Sequence, residues 1–112
     1  MKDRILLFIP AYNCEKQITR VLEQLDASVM RYIDEVIVVN NCSTDGTEEA
    51  VLDYMEHNWA MPVILLNNKE NYGLGGSHKV AFEYAIKNGF DYLIVLHGDD
   101  QGDIHDFLPV LR

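Results

Sequence analysis

The fold is decided by the stretch Tyr92-Leu93-Ile94-Val95-Leu96-His97-Gly98-Asp99-Asp100-Gln101, in which polar residues directly follow an apolar run. The run predicts a buried strand, and in open parallel sheets the carboxyl ends of the strands face the crevice where ligands bind. Asp99 and Asp100 offer the oxygen ligands that Mg²⁺ or Mn²⁺ prefers, and His97 adds an imidazole. We therefore expect a divalent-metal site whose ion completes its shell with water and substrate phosphates.

Strand and helix patterns alternate along the chain. Strands are predicted at residues 4–9, 35–39, 62–66 and 91–96. Between the first two strands, apolar residues recur at helical spacing and predict one helix that contains Ile18, Val21, Leu22, Leu25 and Val29. The alternation predicts right-handed βαβ units and therefore a three-layer α/β/α fold with a mainly parallel sheet.

Signals for helix ends sharpen this prediction. Asn13 is a suitable N-cap for the first helix, and Asp45 with Glu48 three residues later forms a capping box for the second. Residues 67–76 are predicted to be a loop whose glycines precede the third helix, and Asn88-Gly89 stops that helix.

A polar cluster follows each predicted strand. The clusters are Tyr12-Asn13, Asn40-Asn41-Cys42-Ser43, Asn71-Tyr72-Gly73 and His97-Gly98-Asp99-Asp100. Because parallel strands end at the same edge of a sheet, all four clusters are expected to face one rim, which makes that rim the predicted functional site.

Composition narrows the classes of partner. The chain has 112 residues with 48% hydrophobic and 24% charged residues, which suits one small globular domain. Its net charge of −9 argues against nucleic acid, because binding a polyanion needs clustered Lys and Arg. No apolar stretch has the length of a signal-peptide core or a transmembrane segment, so we expect a cytoplasmic protein in which Cys14 and Cys42 are free thiols.

The fourth strand is as apolar as a central strand, yet only residues 102–112 follow it beyond the polar cluster. Such a strand would leave an apolar sheet edge that needs covering. We therefore expect the chain to be the first half of a larger, incomplete domain. Self-association through this edge is a further prediction, against which a purely monomeric elution at high concentration would count.

Four segments in order carry a family resemblance. They are Ile9-Pro10-Ala11-Tyr12-Asn13, Val38-Val39-Asn40-Asn41-Cys42-Ser43-Thr44-Asp45-Gly46-Thr47, Asn71-Tyr72-Gly73-Leu74-Gly75 and His97-Gly98-Asp99-Asp100-Gln101. Together they resemble, over nearly the whole chain, the nucleotide-binding half of family 2 glycosyltransferases, the inverting enzymes of GT-A fold that include polyprenyl-phosphate sugar transferases. The resemblance implies metal-assisted transfer from a UDP- or GDP-sugar to a lipid-phosphate or glycan acceptor, at the inner face of the membrane.

The resemblance also implies residue roles. The residues that would hold the nucleotide are Pro10, Ala11, Tyr12, Asn13, Asn40, Asn41, Ser43, Asn71, Gly73, Gly75 and Asp99. The family's D-x-D motif, which places metal and diphosphate, aligns with His97-Gly98-Asp99, and Asp100 is a further candidate ligand of Mg²⁺ or Mn²⁺. In the family the catalytic base, where one is needed, lies in the second half of the domain, so none is assigned here.

The sequence departs from the family pattern at several positions. His97 replaces the first acid of D-x-D, and Asn40-Asn41 replaces a common Asp pair after the second strand. The second change removes charge where the base or ribose is read, which leaves the nucleotide's identity open. Cys14 stands where an acid often follows the Asn of P-A-Y-N, and Leu74 and Lys79 replace a frequent Lys and Asn.

Two other functions fit the sequence less well. A nucleotidyltransferase would carry a basic, glycine-rich loop after the first strand, where this chain has Pro10-Ala11-Tyr12-Asn13. The other is a non-catalytic nucleotide-binding or flavodoxin-like regulatory module. In receiver domains, which are modules of this regulatory kind, the paired acids that bind Mg²⁺ follow the first strand, and none follows it here. Both therefore rank below the glycosyltransferase interpretation.

Overall fold

The structure, a computed structural model, describes residues 3–99 and His105. Its elements in chain order are β1 (Ile5–Ala11), α1 (Glu15–Glu23), α2 (Ala27–Met30), β2 (Glu35–Asn40), α3 (Thr47–His57), β3 (Val63–Asn67), α4 (Gly73–Lys87) and β4 (Tyr92–Val95). Within these residues, no helix is long and apolar enough to cross a bilayer. The predicted metal ligand Asp100 lies outside the described residues.

The four strands form one parallel sheet in the order β3-β2-β1-β4. β1 pairs with β2 from Leu6 opposite Glu35 to Ala11 opposite Asn40, and β2 in turn pairs with β3 as far as Asn67. The predicted parallel sheet is confirmed. Because every strand runs in the same direction, all carboxyl ends lie along one rim of the sheet. This is the arrangement that was predicted from the polar clusters.

Helices cover both faces of the sheet. Alternate residues point to opposite faces of a strand, so Leu7 and Ile9 of β1 pack with α1, α2 and α3, while Leu6 and Phe8 pack with α4. β2 divides its apolar residues between the same two cores. The predicted three-layer α/β/α architecture is therefore confirmed, with β1 and β2 buried at its centre.

The single helix predicted through Val29 is wrong. α1 ends at Glu23, and Asp26 takes an extended conformation (φ −90°, ψ −179°) that starts a separate helix, α2. Asp26 Oδ1 accepts a hydrogen bond from Val29 N at 3.1 Å, and the Ser28 hydroxyl and then His105 hold the pKa of this carboxyl well below its usual range. Leu25 is buried despite the break, because the chain still passes over the sheet.

Two capping predictions are also wrong, because the side chains bond elsewhere. Cys14, not Asn13, precedes α1, and Asn13 Oδ1 accepts from Thr44 N at 2.8 Å instead. Gly46 precedes α3, so the Asp45–Glu48 box is absent; Asp45 Oδ1 accepts from Thr47 N at 3.0 Å.

The glycine-rich segment is not a loop before α4 but the first turn of that helix. α4 begins at Gly73, whose positive φ of 74° suits glycine, and Gly75 and Gly76 follow within the turn. The predicted stop is confirmed, since α4 ends at Lys87 and Gly89 takes a left-handed φ of 72°.

β4 lies at one edge of the sheet. Within residues 3–99 it pairs with β1 alone, and the Tyr92 side chain is 58% exposed while the rest of the strand is half-buried. His105, the one described residue beyond position 99, lies near the start of α2, where its Nε2 is 2.8 Å from Asp26 Oδ2. The expected apolar edge is therefore present among the described residues, and its covering by further chain or by a second copy stays a prediction.

Thr47 provides a first test of the packing. This fully buried side chain accepts a hydrogen bond from Cys14 N at 2.9 Å and donates one to Asp45 Oδ1. We expect Thr47→Val to lower the free energy of unfolding by about 1–3 kcal/mol, because the Cys14 N–H loses its buried acceptor. Thr47→Ser keeps the hydroxyl and loses one methyl group, at about 1 kcal/mol. Urea unfolding measures both, and a valine variant as stable as the serine variant would contradict this role.

Gly75 and Gly76 form a matched pair for the start of α4. A Cβ at position 76 would lie 2.4 Å from Tyr72 Cβ, whereas one at position 75 would meet nothing within 4 Å. We expect Gly76→Ala to destabilise the protein by about 1–3 kcal/mol through overpacking. Gly75→Ala should stabilise it by about 0.5–1 kcal/mol, because alanine loses less backbone entropy in a helix. Equal thermal stabilities of the two variants would refute this arrangement.

Candidate functional site

The carboxyl rim of the sheet holds an open cavity of about 300 Å³. It is lined by Pro10, Ala11, Tyr12, Asn41, Asn71, Gly73, Leu74, Ser77, His97, Gly98 and Asp99. Each of the four polar clusters contributes to this lining, because the parallel sheet places the clusters side by side. The prediction that the four polar clusters meet at one rim is therefore confirmed.

Most of the residues singled out in the sequence meet at this cavity. Those that line it are Pro10, Ala11, Tyr12, Asn41, Asn71, Gly73, His97 and Asp99. Four others, Asn13, Asn40, Ser43 and Gly75, do not line it. Leu74 and Ser77 line the cavity but were not among the predicted site residues, because their positions on α4 follow only once that helix is known to begin at Gly73. Gly98, which also lines it, was named only as a member of its polar cluster.

Three of the four residues that do not line the cavity connect the loops that form it. Ser43 Oγ accepts from Asn13 N at 3.0 Å and donates to Asn40 Oδ1 at 2.5 Å. Asn40 Nδ2 in turn donates to Asn67 Oδ1, 2.9 Å away on the neighbouring strand. These side chains therefore connect the ends of β1, β2 and β3, and their polar groups are directed at one another.

Asn41 is hydrogen-bonded to the segment that precedes α4. Its side chain is buried, and Oδ1 accepts from Tyr72 N at 2.9 Å and from Asn68 Nδ2 at 3.0 Å. Its Nδ2 donates to Asn71 Oδ1 at 2.9 Å. Asn68 Nδ2 also lies 3.2 Å from Ser77 Oγ. The start of α4 is therefore held against the end of β2 by side-chain amides.

Gly98 brings the fourth cluster close to β1. Its N–H donates to Pro10 O at 3.1 Å, and a Cβ here would lie 3.0 Å from Ile18 Cδ1 and 3.2 Å from Cys14 Sγ. A larger residue would push this turn away from β1. The small residue at 98 therefore sets His97 and Asp99 against the Pro10–Tyr12 wall of the cavity.

The cavity offers a metal ion a partial set of ligands. His97 and Asp99 are exposed and line the same space, but no group of three His, Cys, Asp or Glu side chains suited to a metal occurs within residues 3–99. Mg²⁺ is commonly held by one or two carboxylates together with phosphate oxygens and water. The donors present therefore fit an ion that binds along with a phosphorylated ligand.

The two cysteines are free thiols, as expected. Cys14 is buried beneath Gly98, and this burial raises the pKa of its thiol, so the group stays protonated at neutral pH. Cys42 is exposed and has a φ of 60°, a left-handed conformation that is uncommon for residues other than glycine. Neither thiol lines the cavity.

Known proteins are similar to this chain in sequence. An abequosyltransferase of Salmonella typhimurium is 31% identical over 93% of the chain, which spans 30% of that protein. A dolichyl-phosphate beta-glucosyltransferase of Trichomonas vaginalis is 35% identical over 92% of the chain, which spans 32% of its length. The chain thus covers about a third of each of these two relatives.

A solved structure supports the same fold. A mannosyltransferase from Pyrobaculum calidifontis, in complex with GDP-Man and Mn²⁺, superimposes with a TM-score of 0.72 at 24% identity. The match covers 88% of this chain and 28% of that one, and it establishes the fold. The family model for "Glycosyl transferase family 2" matches residues 6–112. This chain therefore belongs to the family 2 glycosyltransferases.

Proposed function

We propose that this chain is the nucleotide-sugar-binding half of an inverting glycosyltransferase that uses a UDP- or GDP-sugar. The observation that carries the proposal is the single cavity in which all four family motifs meet. Its walls offer an exposed aromatic ring at Tyr12, side-chain amides at Asn41 and Asn71, and a carboxylate at Asp99. The aromatic ring suits the face of a base, the exposed amide of Asn71 suits a hydrogen bond to the edge of that base, and the carboxylate suits a metal-bound diphosphate.

The proposed site has two ends with different chemistry. Tyr12 is half-exposed and lines the cavity together with the apolar residues Pro10 and Leu74, so it offers a ring on which a base or sugar can pack. Asp99 and His97 sit in the turn after β4 and would hold Mg²⁺ or Mn²⁺, with Asp100 as a further candidate outside the described residues. When bound, that ion stabilises negative charge that grows on the departing diphosphate.

The proposed reaction is a direct displacement at the anomeric carbon. The acceptor oxygen forms a bond to that carbon from one side while the bond to the diphosphate oxygen breaks on the other, which inverts the configuration. A nucleoside diphosphate leaves, and the acceptor hydroxyl, where the acceptor has one, gives up its proton to a base. We place that base and most of the acceptor site in chain outside these 112 residues, because the two relatives are about three times as long.

The acceptor is proposed by chemical class. Dolichyl phosphate appears in the name of one relative, and undecaprenyl phosphate in that of another from Micrococcus luteus. A lipid phosphate, or a glycan carried on one, is therefore the acceptor that we propose. Such an acceptor would place the enzyme at the cytoplasmic face of a membrane. Association of two copies through β4 is a further proposal, supported by the exposure of Tyr92, and sedimentation at rising concentration would detect it.

Calorimetric titration with UDP, GDP and CMP, each with and without Mn²⁺, tests the proposal. We expect one nucleotide to bind, and only when the metal is present. Asp99→Ala should weaken that binding by about tenfold or more, since one ligand of the ion is lost. The unfolding temperature of this variant is measured beside the parent's, so that a loss of binding is distinguished from a loss of stability.

The control removes a carboxylate elsewhere. Asp53 is exposed on α3 and does not line the cavity, so Asp53→Ala changes the net charge equally and should leave nucleotide binding unchanged. An Asp99→Ala variant that binds as tightly as the parent would remove the metal assignment. Binding without sugar transfer would favour a truncated or binding-only domain over a complete enzyme.

A further inference from the structure

Backbone N–H groups fix the direction of two side-chain amides at the cavity. Tyr72 N lies 2.9 Å from Asn41 Oδ1, and because a backbone N–H can only donate, the atom that faces it must be the oxygen. The Nδ2 group of Asn41 is thereby directed at Asn71. The same reasoning applies at Asn71 itself, where Gly73 N donates to Oδ1 at 2.8 Å.

In the side chain of Asn71, the oxygen is fully hydrogen-bonded within the protein, and the nitrogen can donate to a ligand. Oδ1 accepts two hydrogen bonds, from Asn41 Nδ2 and from Gly73 N, which use both of its lone pairs. Its Nδ2 group donates to no atom of residues 3–99. Since Asn71 is exposed and lines the cavity, this nitrogen is a hydrogen-bond donor offered to a ligand.

Asn41 differs from Asn71 in both burial and bonding. Its side chain is only 6% exposed, and its oxygen and nitrogen both have protein partners. Asn41 is therefore suited to orient Asn71 and the start of α4, while Asn71 is suited to contact the ligand. This division of roles could not be assigned from the sequence, in which both residues were nucleotide-binding candidates.

We propose that Asn41 is a positioning residue that fixes the Asn71 amide as a donor to the cavity, so that Asn71 selects nucleotides with a carbonyl oxygen on the base edge. The inference rests on the proposed function, because it takes the ligand to be a nucleotide. Uracil and guanine carry such an oxygen, at O4 and O6. Cytosine and adenine carry an amino group at the matching position, which would face the Asn71 donor with a second donor.

Replacing Asn41 with aspartate tests the positioning role. In Asn41→Asp, a carboxylate oxygen in place of Nδ2 would lie about 2.9 Å from Asn71 Oδ1, and two acceptors at that distance repel. Asn71 could turn its nitrogen toward the new carboxylate, but Gly73 N would then lose its acceptor. Either response removes the fixed donor from the cavity.

The experiment measures selectivity between matched bases. Dissociation constants for UDP against CDP, and for GDP against ADP, are determined with Mn²⁺ present for the parent and for Asn41→Asp and Asn71→Ala. We expect the parent to favour the carbonyl member of its better-bound pair by about tenfold, the scale of one mismatched hydrogen bond. Both variants should reduce that ratio to within about threefold. Asn88→Asp adds the same charge at the far end of α4 and should keep the parent ratio.

The possible results distinguish a failure of this inference from a failure of the proposed function. A parent that binds UDP and CDP equally, or an Asn71→Ala variant with the parent ratio, overturns the selectivity and leaves the proposed function standing. A parent that binds none of these nucleotides overturns both.

A ligand-free measurement tests the positioning alone. Amide hydrogen exchange of Gly73 should become faster in Asn41→Asp than in the parent, because the acceptor on Asn71 moves away. In the Asn88→Asp control, Gly73 should exchange at the parent rate. Unchanged exchange at Gly73 in Asn41→Asp would overturn the positioning role of Asn41.

Discussion

The parallel pairing of β1 with both β2 and β4 is the constraint on which the rest of the structure depends. β1 is buried, and its two neighbours run in the same direction, so the chain must return across a face of the sheet after every strand. Each return places a helix on the sheet, and each strand then ends at the same rim. The cavity is a consequence of this pairing, because the rim is the one place where four consecutive strand ends meet.

Polar side chains, rather than apolar packing, stabilise that rim. Loops at strand ends cannot bury their backbone groups in a core, so their N–H groups need other acceptors. Here asparagine and serine side chains supply them: Ser43 Oγ accepts from Asn13 N, Asn13 Oδ1 from Thr44 N, and Asn41 Oδ1 from Tyr72 N. The same amides that hold the loops also line or flank the cavity. The stability of the rim and the proposed recognition of a nucleotide therefore depend on a shared set of hydrogen bonds.

Much of the fold could be predicted from the sequence, because apolar periodicity reports directly on burial. The four strands, the parallel sheet and the shared rim follow from runs such as residues 35–39, and the family motifs located most of the cavity wall. Helix ends were harder, since a polar residue such as Asn13 or Asp45 can bond to several nearby N–H groups. The choice among them depends on the loop that tertiary contacts bring close.

The division of labour within the site was also beyond sequence reasoning. Asn40, Asn41 and Asn71 have the same side chain. Only their burial and hydrogen-bond partners show which of them hold the loops together and which is placed to contact a ligand. Gly75 and Gly73 look alike in a glycine-rich segment, yet only Gly73 lines the cavity, because the segment is already helical. These differences in burial and bonding depend on residues that are distant in sequence and close in the folded structure.

The carboxyl rim of the sheet is the proposed nucleotide-binding site. Titration of the ¹⁵N-labelled protein with UDP and with GDP, in the presence of Mg²⁺, tests it most directly through backbone amide shifts. We predict shifts at Ala11, Tyr12, Gly73 and Gly98, with Arg4 and Asp91 at the opposite end of the sheet unmoved. Shifts centred on Arg4 and Asp91, or none with either nucleotide, would contradict it.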